Sequence, residues 1–385
     1  MVVHLCCGVD AGYFLKRLQE EFPEERLIGY FYDPNIHPYR EFQVRSAETQ
    51  RICKKLGVEF IEGEYDLEEW FAVIAGMEKE PEKGKRCARC FDYSLEKTAR
   101  FAKKIGENRI TTSLLMSPMK SHSQIKNTAD QIWKRFGIKF LVPDYRKKGG
   151  TQRQQAFAKE TQLYRQNYCG CLYGVYNQKN RKGEPVVEFL SPLNRSILPG
   201  SPEERLELLL RRQKLEKSGK SPFLLSTPFL NYRLLRGGIK REGKSIPAHI
   251  LFYSHLSGGV GKRGVRGYLE KQIDGIFYLN RGGVILVPLN RFNRELESIG
   301  IQKVASIQKL QFEPFSVEIE IEIRNRLTGT PYSLAPILVV EEISDGPPEG
   351  ELITGFQPGI VRYEIFIQSV IFPDTRLQLV EGNNY

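Results

Sequence analysis

Val2-Val3-His4-Leu5-Cys6-Cys7-Gly8-Val9-Asp10 opens the chain with an apolar run that stops at two cysteines and a glycine. The run is short enough for a buried strand, and the amphipathic stretch 11–20 behind it is long enough for a helix. A strand that turns at once into a helix is the first half of a βα unit. Outward from it, residues 27–32, 58–62, 109–115 and 138–142 repeat the strand pattern. Residues 39–56, 67–75, 91–104, 121–136 and 152–166 read as further helices. This alternation predicts a doubly wound parallel sheet across residues 1–180. In such a sheet ligands bind beyond the carboxyl ends of the strands, at the switch point. Cys6-Cys7-Gly8-Val9-Asp10 closes strand one, and Thr111-Thr112-Ser113 with Ser117-Pro118 closes strand four. If those two strands are central neighbours, both loops face one pocket.

The rest of the chain reads differently. A loop at 177–185, rich in Asn, Lys and Gly, marks a boundary, and residues 186–385 form a second, accessory domain. After one charged helix at 202–217, this half is expected to be mainly β, with strand-like segments at 249–254, 275–279, 284–288, 315–323 and 363–371. Val317-Glu318-Ile319-Glu320-Ile321-Glu322-Ile323 alternates with period two, the pattern of a strand with one buried and one solvated face. At 385 residues, two domains are the ordinary expectation. No uncharged apolar run is long enough to span a bilayer, and Met1 to Asp10 lacks the cationic and apolar pattern of a secretory signal, so no membrane partner and a cytoplasmic location are expected.

Net charge is +11, which suits a polyanionic partner. Residues 195–281 hold 17 basic against 7 acidic side chains, whereas residues 282–385 hold 8 against 14. Within the basic part, Lys262, Arg263 and Arg266 interleave with glycines that let backbone amides approach phosphates. These three are the candidate RNA contacts of the second half, set against a plain basic hairpin surface.

All seven cysteines, Cys6, Cys7, Cys53, Cys87, Cys90, Cys169 and Cys171, lie in the first 171 residues. An odd set at such spacings, in a reducing compartment, favours metal ligation over a disulfide framework. Cys87-Ala88-Arg89-Cys90 fits a zinc knuckle half, a thioredoxin-like pair or cluster ligands. In Cys169-Gly170-Cys171 the central glycine lets both thiolates turn toward one centre. Cys6 and Cys7, adjacent at a strand end, should point apart and serve neighbouring metal sites. Asp10 is either an oxygen ligand or the N-cap of the next helix. Cys53 belongs to a helix face in the core. Six thiols and Asp10 exceed one tetrahedral ion, so a four-cysteine cluster beside a second metal site, or structural zinc with two spare thiols, both fit.

Tyr32-Asp33-Pro34-Asn35-Ile36-His37-Pro38, Arg86-Cys87-Ala88-Arg89-Cys90, Thr111-Thr112-Ser113-Leu114, Ser117-Pro118, Asp144-Tyr145-Arg146-Lys147 and Lys159-Glu160 follow one another along the first half. With Leu163-Tyr164-Arg165-Gln166-Asn167-Tyr168-Cys169-Gly170-Cys171 they resemble the epoxyqueuosine reductases of the QueH type, over roughly residues 1–175. The resemblance implies a Rossmann-like (HUP-like) sheet carrying an iron-sulfur site, a 4Fe-4S cluster with one additional iron, and an external electron donor. It implies two-electron deoxygenation of epoxyqueuosine in tRNA to queuosine. Cys6, Cys7, Cys87, Cys90, Cys169 and Cys171 are then cofactor ligands. The family commonly reads Cys-Cys-x-x-Cys at its start; Asp10 stands here in the final place, and its harder oxygen suits a lone iron better than a cluster. An iron with an open position can polarise the epoxide C–O bond while the cluster feeds electrons.

The remaining matching residues divide by chemistry. His37, His122 or Tyr168 can supply protons, against local readings as turn former, solvated helix start and core. Thr111, Thr112 and Ser117 can hydrogen-bond the flipped base or cap a helix. Arg146, Lys147 and Arg165 can hold phosphates or stay solvated. Two rival readings remain. A tRNA sulfur-transfer protein on a similar fold should carry a Ser-Gly-Gly-x-Asp-Ser loop, which Cys7-Gly8-Val9-Asp10 is not. A zinc-stabilised tRNA-binding module would have no catalysis.

Overall fold

A computed structural model describes residues 1–117, 120–166, 168–191, 196–256, 264–355 and 358–381. Lys262 and Arg263 lie outside the described residues, as do Pro118 and Asn167. The chain divides into two compact units: Met1–Phe189 with Pro202–Thr227 and Leu377–Tyr385, and Leu190–Ser201 with Pro228–Arg376. The first unit thus takes back the charged helix and the end of the chain instead of stopping near residue 180.

In the first unit five parallel strands, β1 (Val2–Leu5), β2 (Ile28–Phe31), β3 (Glu59–Glu62), β4 (Arg109–Thr112) and β5 (Lys139–Phe140), stand in the order β3-β2-β1-β4-β5. Strands one and four are neighbours, with Val3 opposite Thr111, so the loops after them open side by side. All four residues of β1 and of β2 are buried, as a strand covered on both faces requires. Helices α1 (Gly8–Glu21), α2 (Tyr39–Lys55), α3 (Leu67–Ile74), α4 (Lys85–Lys104), α5 (His122–Phe136), α6 (Gly150–Glu160), α7 (Leu172–Lys182) and α8 (Pro202–Lys217) complete the unit. Leu5, Phe14, Phe31, Phe42 and Leu115 form one core on one side of the sheet, and Val2, Ile28, Leu95, Ile110 and Ile132 form another. Cys53 is fully buried in the first of these, the core position expected of it.

Three boundaries differ from the sequence pattern. Helix α4 begins six residues early, so Cys87 and Cys90 sit three apart on its first turns, on one face, and not in a loop before it. Helix α6 ends at Glu160, and residues 161–166 and 168–170 run as irregular chain. Helix α7 fills most of the expected boundary loop and ends on Gly183 in the left-handed conformation.

In the second unit a five-stranded sheet has the order β10-β11-β12-β13-β8, from β8 (Ala248–Ile250), β10 (Leu269–Ile273), β11 (Ile276–Leu279), β12 (Ile285–Pro288) and β13 (Ile337–Val340). A four-stranded sheet, β7-β6-β14-β9, is built from β6 (Phe223–Arg241), β7 (Lys244–Ile246), β9 (Val265–Gly267) and β14 (Tyr363–Val380), of which residues 223–227 and 377–380 are counted with the first unit. Period-two alternation explains the layers: Ile285, Val287, Ile337 and Val339 pack with helical residues on one face, and Leu286, Leu338 and Val340 pack with Ile239, Tyr363 and Ile365 on the other. The helices are α9 (Leu289–Ser298), α10 (Ile307–Phe312) and α11 (Val317–Thr328). The unit is mainly β, but the strand expected at 315–323 is wrong, because Val317–Thr328 is helix α11. The alternating glutamates do not all face water: Glu320 is buried, accepting from Phe252 N at 2.8 Å and facing His249 Nε2 at 2.8 Å. Glu318 and Glu320 also favour a helix N-terminus, and Gly329 at φ 74° ends the helix. Tertiary partners for Glu320 outweigh the local period.

Candidate metal and substrate site

The ends of β1, β2 and β4, the start of α4 and Gln166, Tyr168, Cys169 and Cys171 from the chain after α6 line a cavity of about 380 Å³ in the first unit. Cys6, Cys7, Asp10, Cys87, Cys90, Cys169 and Cys171 all line it. Cys6 Sγ is 4.0 Å from Cys7 Sγ and 3.7 Å from Asp10 Oδ2. Ligand atoms of these three lie within 4.8 Å of one another, close enough for one metal ion. The expectation that adjacent Cys6 and Cys7 point apart is corrected here. Cys7 is already the residue capping α1, so the chain leaves the strand and the alternation lapses. Asp10 is accordingly in the first turn of α1 and not its N-cap. Gln154 Nε2 donates to Asp10 Oδ1 at 2.7 Å and orients the carboxylate.

The second thiol pair reaches the cavity because α2 holds the 161–171 segment by its backbone. Arg45 Nη1 donates to Cys169 O at 2.9 Å and Nη2 to Tyr168 O at 3.0 Å, while Nε donates to Glu41 Oε1 at 2.8 Å. His37 N donates to Gly170 O at 2.8 Å, and Ile36 and Cys171 form an antiparallel bridge. Gly170 has φ 105°, and a Cβ there would meet Arg45 Nη1 and Ile36 Cγ1 at 2.9 Å, so only glycine permits the bend between the two thiols. Arg86, itself buried, donates to the carbonyls of Glu78 and Glu80 and fixes the approach to α4.

Electrostatics separate the thiols. Lys120 Nζ donates to Cys169 Sγ at 3.6 Å and stands 4.2 Å from the centre of the Phe91 ring. That positive charge pulls the Cys169 thiol below its ordinary pKa. The Cys6 thiol is pushed well up by its contact with Cys7 and by burial, Cys90 is pushed up by burial, and Cys171 rises to about 11, again by burial. Burial likewise raises Asp10 and lifts Asp33 well above the carboxylate range. Cys6, Cys90 and Cys171 thus stay poor thiolates on their own, although Lys83, Arg45 and Arg86 line the cavity beside Lys120. Soft thiolates with one carboxylate are a donor set for iron, an iron-sulfur cluster or zinc, and the residues present fit such groups.

The other expected residues fall in several places. Ser117 and Tyr168 line the cavity. The Tyr168 hydroxyl donates to His37 O at 2.5 Å. The His37 ring packs beside Trp70 and Phe71, with Nδ1 2.9 Å from Asn35 O. His122 Nε2 is 3.1 Å from Leu115 O and 3.8 Å from Asp144 Oδ1. Thr111 and Thr112 are fully buried: Thr111 Oγ1 donates to Leu141 O, and Thr112 Oγ1 faces His4 Nδ1 at 2.9 Å and accepts from Leu114 N. Arg146 Nη1 donates to Ser117 O and Lys120 O, bracing the loop after β4. Lys147 pairs with Asp144, and Arg165 Nη2 donates to Gln155 Oε1 at 2.5 Å. In the second unit Arg266 pairs with Glu364 at 2.9 Å.

Asp33, Asn35, Arg45, Trp70, Lys120 and Gln166 line the cavity and were not singled out from the sequence. Asp33 and Asn35 follow the carboxyl end of β2, beside β1. Lys120 follows three residues after Ser117. Nothing in the sequence marks Arg45 as a buried arginine. A second concavity of about 910 Å³ in the first unit has six basic residues on its wall, Arg51, Lys54, Lys55, Arg212, Lys217 and Lys220, against Glu160 and Glu216.

The family model described as epoxyqueuosine reductase QueH matches residues 1–177. Epoxyqueuosine reductase QueH of Helicobacter pylori is 34% identical over 94% of this chain and 100% of its own length. The Haemophilus influenzae protein of that name is 35% identical over 48% of this chain and 75% of its own, and that of Thermotoga maritima 32% identical over 48% and 94%. The second half, beyond the family model, is therefore shared with the Helicobacter relative. A solved U34-tRNA thiolase, NcsA of Methanococcus maripaludis, with its 4Fe-4S cluster, is 14% identical at a TM-score of 0.31 over 55% of this chain and 72% of its own, too faint a likeness to carry weight. With one relative matched over its whole length, the chain belongs to the epoxyqueuosine reductase QueH family and is an oxidoreductase.

Proposed function

We propose that this chain removes the epoxide oxygen of epoxyqueuosine in tRNA, giving queuosine, in the cytoplasm and without a membrane partner. Two electrons from an external donor and two protons leave an alkene and water. The observation that carries the reading is the convergence of six cysteines and Asp10 on one cavity at the strand ends. Cys6, Cys7 and Asp10, the mutually close set, would hold the single iron. Cys87, Cys90, Cys169 and Cys171 would hold the 4Fe-4S cluster. When bound, the two groups supply Lewis acidity toward the epoxide oxygen and a path for electrons.

The protein's own residues do the rest. Gln154 aims the Asp10 carboxylate, and Arg45 fixes the backbone that presents Cys169 and Cys171. Lys120 holds a cationic N–H beside Cys169, where negative charge gathers. Tyr168 ties the cavity wall to the His37 carbonyl. Of the proposed proton sources, Tyr168 lines the cavity; His37 and His122 stand outside its lining. On the wall of the larger concavity Arg51 and Arg212 are buried in ion pairs with Glu48 and Glu216, and the exposed Lys54, Lys55 and Lys217 support an RNA partner, since such charges gain from displacing counterions on phosphates. Lys147, Arg165 and Arg266 remain proposed phosphate contacts and Ser117 a proposed base contact, whereas Thr111 and Thr112 are buried with their hydroxyls engaged and Arg146 is spent on the carbonyls of Ser117 and Lys120.

Anaerobically purified, cluster-loaded protein with a chemical reductant and epoxyqueuosine-containing tRNA should yield queuosine on nucleoside mass spectrometry. Absence of product overturns the assignment. A colourless protein with stoichiometric zinc after anaerobic handling would favour the zinc-stabilised RNA-binding alternative.

A further inference from the structure

Three buried oxygens on the wall of the cysteine cavity have no hydrogen-bond partner among the described residues: Asp33 Oδ2, Asn35 Oδ1 and Gln166 Oε1. Asp33 is 7% exposed and Asn35 5%, and the three oxygen atoms are shut off from solvent. They come from two separate segments, the chain after β2 and the 161–171 segment that Arg45 pins. Buried acceptors are nearly always paired in folded proteins, so three unpaired ones in the lining of one cavity mark a place where donors arrive from outside the chain, as the unpaired Arg86 Nε and Nη2 in the same lining mark a place for an outside acceptor. None of the three belongs to the Cys6, Cys7 and Asp10 group that can hold a metal.

We infer that Asp33, Asn35 and Gln166 form an acceptor subsite for the hydroxyl-bearing ring of the substrate nucleoside. This rests on the functional reading above. Epoxyqueuosine is a 7-deazaguanine joined through a secondary amine to a cyclopentane that carries the epoxide and two hydroxyls. The epoxide must reach the thiol and carboxylate wall, so the groups that travel with it into the same cavity are the two ring hydroxyls. Each is an O–H donor, and the unpaired oxygens of the lining accept what they donate. The subsite would hold the ring in one orientation, with its epoxide toward Cys6, Cys7 and Asp10. It would also discriminate against a precursor nucleoside that lacks the ring, because the acceptors would then stay unpaired.

The test compares two otherwise identical RNAs, one carrying epoxyqueuosine and one carrying 7-aminomethyl-7-deazaguanine at the same position, by fluorescence anisotropy without reductant. Wild-type protein should prefer the epoxyqueuosine RNA at least about tenfold, one hydrogen-bonded donor's worth. Asp33→Ala and Gln166→Leu, which remove the acceptors, should each cut that preference at least about fivefold. Affinity for the 7-aminomethyl RNA and iron content should stay as in wild type. Gln166 lies on a different segment from Asp33, so a misfolded D33A still leaves a readable variant. An unchanged preference in both variants overturns the inference, the oxygens then being served by water. So does equal loss for both RNAs, which would assign them to the base or amine, and so does loss of iron, which would make them metal ligands. If wild type converts epoxyqueuosine RNA while the variants keep its preference, this inference alone fails. If wild type binds neither RNA, the functional reading falls with it.

Discussion

Lys120 Nζ and Cys169 Sγ stand 3.6 Å apart inside the cysteine cavity, the ammonium resting on the Phe91 ring. Burial works against the charged form of Lys120, yet Cys169, Cys90, Cys87 and Cys6 together reverse that and hold its pKa above the ordinary value. The ammonium is thus the built-in counter-charge of this thiol-rich wall. Removing it should make any cluster on these thiolates harder to reduce, because reduction adds negative charge that the ammonium offsets. Lys120→Met should lower the midpoint potential by on the order of 50–90 mV, from a unit charge several ångströms away at intermediate dielectric. Lys120→Arg should recover most of it. EPR-monitored redox titration reads the shift directly, and an unchanged potential in K120M would show that the charge is screened.

Arg45 and Glu41 form a buried pair, 3% and 0% exposed at their side chains, that anchors the backbone of Tyr168 and Cys169. Arg45→Met leaves Glu41 charged in the core and frees both carbonyls. The expected loss is about 3–5 kcal/mol of stability, with iron content falling in parallel. Glu41→Gln combined with Arg45→Met should recover part of the stability but not the iron, since the neutral pair removes the stranded charge without restoring the anchor. Denaturant melts with metal analysis separate the two effects. Equal recovery of both would place the role of Arg45 in folding alone.

Gly170→Ala tests the bend between Cys169 and Cys171. The backbone there is left-handed, and the added methyl would meet Arg45 Nη1 and Ile36 Cγ1 at 2.9 Å. A cost of about 1–3 kcal/mol is expected from strain at a residue forced into this region. Because the strain falls between two candidate ligands, iron loss should exceed what the thermal shift alone would cause. A G170A protein with normal iron and a normal melt would contradict the geometry.

The parallel sheet was legible because β1 and β2 are short, buried apolar runs that cannot be mistaken for amphipathic helices. The thiols were legible because cysteine is rare and its spacing is chemical. Other features depend on tertiary partners that no local pattern carries. Val317–Thr328 alternates like a strand, yet His249 and the Phe252 amide give Glu320 a buried partner and the helix prevails. Arg45 is a charged residue on α2 until the 161–171 segment folds against it. Thr111 and Thr112 end a central strand, as a substrate contact should, but their hydroxyls are turned to Leu141 O and to His4. Asp33 and Asn35 stand just beyond the carboxyl end of β2, where the strand-end rule places ligand contacts.

Asp10 gives the sharpest division between the two proposed metal groups. Its Oδ2 lies 3.7 Å from Cys6 Sγ, whereas Cys87, Cys90, Cys169 and Cys171 come from α4 and the 161–171 segment. If a single iron rests on Cys6, Cys7 and Asp10, Asp10→Ala should lower iron from about five to about four per chain and leave sulfide at about four, the content of one intact cluster. Cys171→Ser should instead lose both iron and sulfide. Asp10→Cys should retain the fifth iron, since a thiolate at that place also serves it, while Gln154 loses its acceptor. A D10A protein with unchanged iron would remove Asp10 from the ligand set, and one that loses sulfide as well would put Asp10 in the cluster.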